Sequence, residues 1–246
     1  MSQPLAGRIA LVTGASRGIG YATALALARA GAHIVAIART VGGLEELDDA
    51  VRGGDSSATL VPLDMRDYEG LYGLGSALNQ RHGRLDILVA NAGWGGVPSP
   101  LDHIEPKIWD EAMAVNVTAN WHLIRAMGPL LKRSDAGRAV FITSGVATTA
   151  RAYWAPYSVS KAALDALART YAAETDSSPL RVNLFNPGPT RTRMRGMAMP
   201  GEDPATLPPP DEVAAKILEL CLPSFHETGK LYDFRAGKVL HFMPPA

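Results

Sequence analysis

The sequence predicts an α/β protein whose strands form a parallel sheet joined by helical crossovers. Two observations carry this reading. Short apolar runs rich in β-branched residues recur at Ile9–Val12, Ile34–Ile37, Thr59–Leu63, Leu85–Val89, Ala139–Thr143 and Val182–Phe185, and near-continuous hydrophobicity marks strands covered on both faces. Longer segments of helical period lie between them, and strands that alternate with helices pair in parallel through right-handed crossovers.

Taken in order, Ile9–Val12 runs into the turn Thr13-Gly14-Ala15-Ser16-Arg17-Gly18-Ile19-Gly20. The segment Ile19–Ala30 is rich in Ala and Leu, strong helix formers, and Gly31 stops it. Leu44–Val51 reads as the second helix. Asn116–Lys132 and Tyr157–Glu174 read as long helices that are apolar on more than one face. Helices of that kind pack against something besides their own sheet, so contacts with further copies of the chain are expected. From Pro187 to Pro210 the chain is rich in Pro, Met and Arg and has no strand or helix period. A long irregular loop is expected there, and long loops in compact proteins are commonly functional. Neither an internal repeat nor a linker interrupts the pattern, so residues 1–246 are assigned to one domain with a substrate loop at about 187–210.

Composition narrows the function classes. The 24 basic and 24 acidic residues cancel, so no global field draws the protein to nucleic acid or an anionic membrane. Cys221 stands alone, which rules out an intrachain disulfide, and no Cys/His spacing resembles a metal site. Met1 to Arg8 lacks the order of a signal peptide and no run approaches the roughly 18 apolar residues of a membrane span. A cytoplasmic protein without a metal is expected.

The glycine turn carries the first chemistry. A strand, a glycine-rich turn and a helix start follow in the order of a dinucleotide site. Glycine lets the backbone approach a pyrophosphate closely, and the unpaired N–H groups at the helix end favour its charge. The spacing Gly-x-x-x-Gly-x-Gly differs from the common Gly-x-Gly-x-x-Gly. In the common Rossmann arrangement an acidic residue about 20 positions on, at the end of the second strand, binds the ribose 2′-hydroxyl of NAD. Here that strand ends in Ala38-Arg39-Thr40. Arg39 and Arg17 could pair with a 2′-phosphate, so NADP is favoured, with NAD as the alternative if both arginines are simply solvated.

Further along come Asn91-Ala92-Gly93 after the fourth strand, Asn116, Ser144 after the fifth, Tyr157-Ser158-Val159-Ser160-Lys161, and Pro187-Gly188 after the sixth. Together with the glycine turn, and in this order from Arg8 to about Gly229, they resemble the short-chain dehydrogenase/reductase (SDR) family. The resemblance implies a doubly wound Rossmann fold with a seven-stranded parallel sheet flanked by helices on both faces. It implies that the cofactor contacts come from Thr13, Gly14, Ser16, Arg17, Gly18, Ile19 and Gly20, from Arg39, and from Asp64 and Met65 at the adenine. Asn91, Ala92 and Gly93 would line the adenosine side, Tyr157 and Lys161 the nicotinamide ribose, and Pro187, Gly188, Thr190 and Thr192 the carboxamide. It also implies the catalytic set Asn116, Ser144, Tyr157 and Lys161.

The chemistry of that set can be argued from the residues. Carbonyl reduction needs a hydride, which a nicotinamide supplies, and a proton, which the protein must supply. A free tyrosine titrates near pH 10, so bringing it to about 7 takes roughly 4 kcal/mol of preferential stabilisation of the phenolate. Lys161 lies four residues from Tyr157, on the same face of a helix, and its ammonium favours phenolate. Ser144, thirteen residues before Tyr157, can donate to the substrate oxygen; Thr143 is its near-neighbour alternative. On the family pattern Asn116, through its side chain or its local backbone, holds a water beside the lysine.

Trp94, Val146, Tyr153, Trp154, Met194 and Met197 follow these motifs closely enough to line a pocket for a bulky apolar or aromatic substrate. Arg191, Arg193 and Arg195 could meet an anionic group. The function implied is an NAD(P)-dependent oxidoreductase acting on a ketone or secondary alcohol, with 3-oxoacyl thioesters, steroids or other hydroxy/keto compounds as candidates. A non-catalytic dinucleotide-binding regulator on the same fold is the alternative. A homodimer or homotetramer is expected, although Asp233-Phe234-Arg235 departs from the family's frequent Asp-Gly-Gly.

Overall fold

The computed structural model describes residues 3–53 and 56–242, so Met1 and Ser2 of the N-terminal reading lie outside it. The elements in chain order are β1 (Ile9–Thr13), α1 (Gly18–Arg29), β2 (His33–Ala38), α2 (Val41–Arg52), β3 (Ala58–Pro62), α3 (Tyr68–His82), β4 (Ile87–Ala90) and α4 (Pro106–Met113). A π-helical turn, Ala114–Thr118, leads into α5 (Ala119–Leu131), β5 (Arg138–Ile142), the short α6 (Val146–Thr149), α7 (Ala155–Glu174) and β6 (Arg181–Asn186). Last come α8 (Arg193–Ala198), α9 (Pro210–Cys221), β7 (Leu231–Asp233) and β8 (Lys238–Leu240).

The strands form one sheet in the order β3-β2-β1-β4-β5-β6-β7-β8. All neighbours pair in parallel except β7 and β8, which are antiparallel. The expected seven-stranded parallel sheet is therefore corrected to eight strands: residues 234–237 turn back tightly after β7, and β8 pairs along the sheet edge. β8 is only three residues long, too short to stand out as a hydrophobic run.

Helices cover both faces. One core packs Leu27 of α1, Leu44 and Leu47 of α2 and Val213 and Ile217 of α9 against Val12, Ala36, Val89 and Val140. The other packs Leu71 and Leu78 of α3, Leu123 and Met127 of α5 and Leu164 and Ala168 of α7 against Leu11, Val35, Leu88 and Phe141. Adjacent residues of each strand thus serve opposite cores, which is why the strands read as unbroken apolar runs. This is the doubly wound α/β fold.

The strand order reverses between β1 and β4. In such sheets the crevice outside the C-terminal strand ends opens at this reversal, and the glycine turn, Asn91-Ala92-Gly93, Ser144 and Pro187-Gly188 follow the C-terminal ends of β1, β4, β5 and β6. Two expectations are corrected. The run Asn116–Lys132 is not one α-helix, because the π-helical turn widens the backbone around Asn116 before α5 begins. The loop 187–210 is not wholly irregular, since it contains α8 and a 3₁₀ turn at Pro204–Thr206.

Candidate active site

The glycine turn is anchored at both ends. Ala15 N–H donates to the Ile37 carbonyl at the end of β2. Across the reversal, Thr13 Oγ1 accepts from the N–H groups of Asn91 and Ala92 at 3.0 and 2.9 Å, while Asn91 Nδ2 donates to the Thr13 carbonyl at 2.9 Å. Thr13 and Asn91 thereby spend their polar atoms holding β1 against β4, shaping the crevice.

Glycine is required where the walls close. A Cβ at Gly20 would lie 2.2 Å from the Gly14 carbonyl oxygen and 2.4 Å from Asn91 Nδ2; Gly14 itself has φ +67°. Gly18, at φ +56°, faces the methyl of Thr192, so the loop after β6 docks on the turn. The start of α1 has no side-chain cap from Arg17 and no acidic residue in its first turn. Contrast α3, where Asp67 accepts from Gly70 N–H. A helix start left uncapped, with glycine backbone bare around it, fits an anionic pyrophosphate.

At the end of β2, Arg17 Nη2 donates to Thr40 Oγ1 at 3.4 Å and Arg39 stands 63% exposed beside it. The structure adds a group the sequence reading placed elsewhere. Asp64, beyond β3, lies 3.8 Å from Arg39 and accepts bidentate bonds from Arg66 at 3.1 and 2.8 Å. The Arg66 hydrogen bonds hold its carboxyl down to about 2. Asp64 therefore stays ionised between two arginines, one of them the Arg39 expected to meet a 2′-phosphate. Met65 is buried behind it.

The catalytic candidates gather where β4, β5 and α7 meet. Tyr157 lies in the first turn of α7, whose start is fixed by Pro156. Ser144, just beyond β5, lies close enough to its phenol to act on its titration. Lys161 is 3% exposed, and its Nζ donates to the Ile142 carbonyl at 2.7 Å and lies 5.7 Å from the Tyr157 ring centre. Gly93 lies against the same groups, since a Cβ there would be in ordinary contact with Asn116 Oδ1 at 3.4 Å and Lys161 Nζ at 3.5 Å.

Burial pushes the Tyr157 phenol up to about 12, and the neighbouring Ser144 hydroxyl draws it partly back. Burial likewise pulls the Lys161 ammonium down to about 8, opposed by Asp165. The ammonium faces a carbonyl, and the desolvated phenol resists charge.

Asn116 is fully buried in the π-helical turn, a deformation that recurs at functional sites. Its Oδ1 accepts from Trp94 N–H at 2.8 Å, and its Nδ2 donates to the Trp94 carbonyl and to Ser160 Oγ at 2.8 and 2.9 Å. Its own carbonyl accepts from Asn120. The side chain thus fixes the loop after β4 against α7.

Around the mouth, Trp154 lies 6.2 Å from Tyr157 between ring centres, Met194 packs where a Cβ on Gly95 would touch it, Trp94 folds over Gly96, and Val146 follows Ser144 into α6. Met194, Met197 and Tyr153 are exposed. Of the three loop arginines, Arg195 is committed to Glu202 through a bidentate pair at 2.5 and 2.6 Å. Thr190 is buried against the Pro187 carbonyl, and Thr192 caps α8 by accepting from Arg195 N–H.

Sequence reasoning missed Asn186. Its Oδ1 accepts from Gly145 and Gly188 N–H at 3.0 and 3.1 Å, and its Nδ2 donates to Asp233 at 2.8 Å. One amide thus joins the loop after Ser144, the Pro187-Gly188 turn and β7. Its position just before Pro187-Gly188 was the available signal.

A family model described as short chain dehydrogenase matches residues 8–203. The chain belongs to the short chain dehydrogenase family. Among its curated relatives is the uncharacterized oxidoreductase YciK of Escherichia coli K12, 36% identical over 235 residues, covering 94% of this chain and 93% of the relative. Another is a rhamnolipids biosynthesis 3-oxoacyl-[acyl-carrier-protein] reductase of Pseudomonas aeruginosa, 38% identical over 199 residues, covering 77% and 75%. A solved short chain dehydrogenase of Shigella flexneri, complexed with NADP, is 35% identical with TM-score 0.89 and covers 96% of this chain and all of that one. One from Escherichia coli CFT073, complexed with NADPH, is 36% identical with TM-score 0.88, covering 95% and 99%. Membership makes this short chain dehydrogenase an oxidoreductase. Among its described residues, no helix is long and apolar enough to cross a membrane, and no cluster of three or more His, Cys, Asp or Glu could hold a metal ion.

Proposed function

We propose that this protein is an NADP(H)-dependent oxidoreductase that interconverts a ketone and a secondary alcohol, with Tyr157 as the acid/base. The observation that carries the reading is the convergence of Tyr157, Ser144 and Lys161 at the end of β5, beside an uncapped glycine turn.

The turn Gly14–Gly20 would hold the pyrophosphate, Arg17 and Arg39 the 2′-phosphate, and the Pro187–Thr192 loop the nicotinamide. The NADP and NADPH complexes of the relatives support that choice. A reduced nicotinamide held there supplies the hydride. Ser144 positions the carbonyl oxygen, and the Tyr157 hydroxyl gives its proton to the oxygen as negative charge develops. Burial favours the protonated phenol, the form that reduction consumes. Lys161 supplies the nearby cation that favours phenolate once the proton has left.

Trp94, Val146, Trp154 and Met194 give the substrate end an apolar wall. A 3-oxoacyl thioester, a steroid or another bulky hydroxy/keto compound suits it, and the 3-oxoacyl reductase among the relatives supports the first. The chain is read as one domain acting in the cytoplasm as a homo-oligomer, with the exposed Trp121 of α5 and Val159 of α7 as contact residues.

The test is a panel of ketones and alcohols, including a 3-oxoacyl thioester and a steroid, followed by cofactor absorbance with both nucleotides. Tyr157→Phe should lower turnover by about 10²- to 10⁴-fold while NADPH binding persists; wild-type turnover refutes the assignment. Arg39→Ala should weaken NADPH by roughly 10- to 100-fold, the value of a charge-assisted bond, and leave NADH unchanged. A clear wild-type preference for NADH would overturn the cofactor assignment.

A further inference from the structure

The acid/base scheme leaves one buried charge next to it unused. Tyr157, Lys161 and Asp165 follow at four-residue intervals on α7, which stacks them along one face with a rise of about 6 Å per step. Asp165 is 7% exposed. Its carboxylate accepts from the Thr143 hydroxyl, while Lys161 one turn earlier donates to the Ile142 carbonyl. Two consecutive residues of the chain leaving β5 are thereby tied to two successive turns of α7, and the next residue is Ser144.

A buried carboxylate is costly unless it is paired, and an apolar side chain would fill this position with less penalty. Its charge therefore calls for an electrostatic explanation. The charged groups that act on it are Lys161 and Arg169, before and after it on the same helix. The chain leaving β5 contributes the neutral Thr143. The π-helical turn packed on α7 contributes the neutral Asn116, which is bonded to Ser160.

We propose that Asp165 is a positioning residue for the acid/base pair: through Thr143 it sets α7 against the chain that carries Ser144, and through its charge it keeps Lys161 an ammonium. The proposal rests on the Tyr157–Lys161 reading above. Among the described residues, Asp165 is the one charge that opposes the effect of burial on Lys161. With that charge removed, Lys161 loses its proton at lower pH, and the phenolate loses its neighbouring cation. Asp165 itself is pushed up to about 6 by burial, with Thr143 and the two cations drawing it back. Because this value is raised, its contribution to stability is present at low pH and is lost as pH rises through about 6.

The experiment compares Asp165→Asn, Thr143→Val and Tyr157→Phe with wild type, using NADPH and the best ketone of the panel across pH. Asp165→Asn should move the alkaline limb of kcat to lower pH by about one unit. Thr143→Val should lower kcat with KM little changed and the limb in place. A second readout needs neither cofactor nor substrate: the Tm of Asp165→Asn relative to wild type should rise between about pH 4 and pH 6 and level off above, because only wild type loses the Asp165 contribution there. A wild-type pH–rate profile together with a Tm difference that does not vary with pH overturns the proposal. If Asp165→Asn does not fold, unchanged kcat in Thr143→Val overturns it. Full activity in Tyr157→Phe sinks the acid/base reading and this proposal with it. An inactive Tyr157→Phe beside a wild-type Asp165→Asn sinks this proposal alone.

Discussion

Substituting alanine for Gly20 tests whether the turn is built to admit backbone and nothing else. The added Cβ would sit 2.2 Å from the Gly14 carbonyl oxygen, 2.4 Å from Asn91 Nδ2 and 2.8 Å from the Gly14 carbonyl carbon. Ordinary contact begins near 3.4 Å, so the start of α1 must back away from the turn by about 1 Å. Backbone strain of this kind costs about 1–3 kcal/mol, opposed by up to about 1 kcal/mol from the better helix propensity of alanine. A net loss of about 2 kcal/mol lowers Tm by roughly 4–8 °C in a chain of this length. The same displacement withdraws the N–H groups that face the pyrophosphate, and one such charge-assisted bond is worth about 1.5–3 kcal/mol, at least tenfold in affinity. Gly42 in the first turn of α2 is the internal control, since a Cβ there meets nothing within 4 Å; Gly42→Ala should hold or raise Tm and leave NADPH binding alone. Thermal melts and NADPH fluorescence titrations of both variants decide the matter. Unchanged Tm and unchanged NADPH affinity in Gly20→Ala would refute the reasoning.

Two further predictions concern groups away from the site. Asp86 is fully buried and accepts from Arg8, Arg84, Ser134 and the Ile9 N–H; Asp86→Ala leaves those donors facing one another and should cost about 3–5 kcal/mol, a Tm fall on the order of 10 °C. A fall of only about 2 °C would show that solvent or neighbours replace the carboxylate. Cys221 is buried at the end of α9, and burial pushes its thiol up to about 12. It should therefore ignore a thiol-reactive disulfide reagent in the native protein and react as one thiol per chain in denaturant, and rapid reaction of the native protein would contradict the packing.

Much of the arrangement was legible in the sequence because it depends on local chemistry. The six apolar runs announced the buried parallel strands, since each had to serve two cores. The glycine turn showed itself because only glycine tolerates the contacts at Gly14 and Gly20. Ser144, Tyr157 and Lys161 were found by spacing and resemblance, and the structure brings them together at one strand end. The antiparallel β8 was not visible, as three residues carry no period. The π-helical turn was hidden because Asn116 reads as an ordinary helical residue until Trp94 and Ser160 are placed against it.

What the sequence by itself determined, then, is the order of strands and helices, the glycine turn and the residue types available for acid/base work, all properties of neighbouring residues. Only the tertiary structure decided which charges meet. Asp64 comes to Arg39 from a separate strand, Asn186 joins three loops, and Thr143 reaches across to Asp165 under Lys161. Those juxtapositions link residues 25 to 47 positions apart in two cases; burial in the folded chain, likewise, is what pushes the Tyr157 phenol up and pulls the Lys161 ammonium down. The physical reason is that desolvation and pairing depend on packing in three dimensions, which residue order alone does not encode.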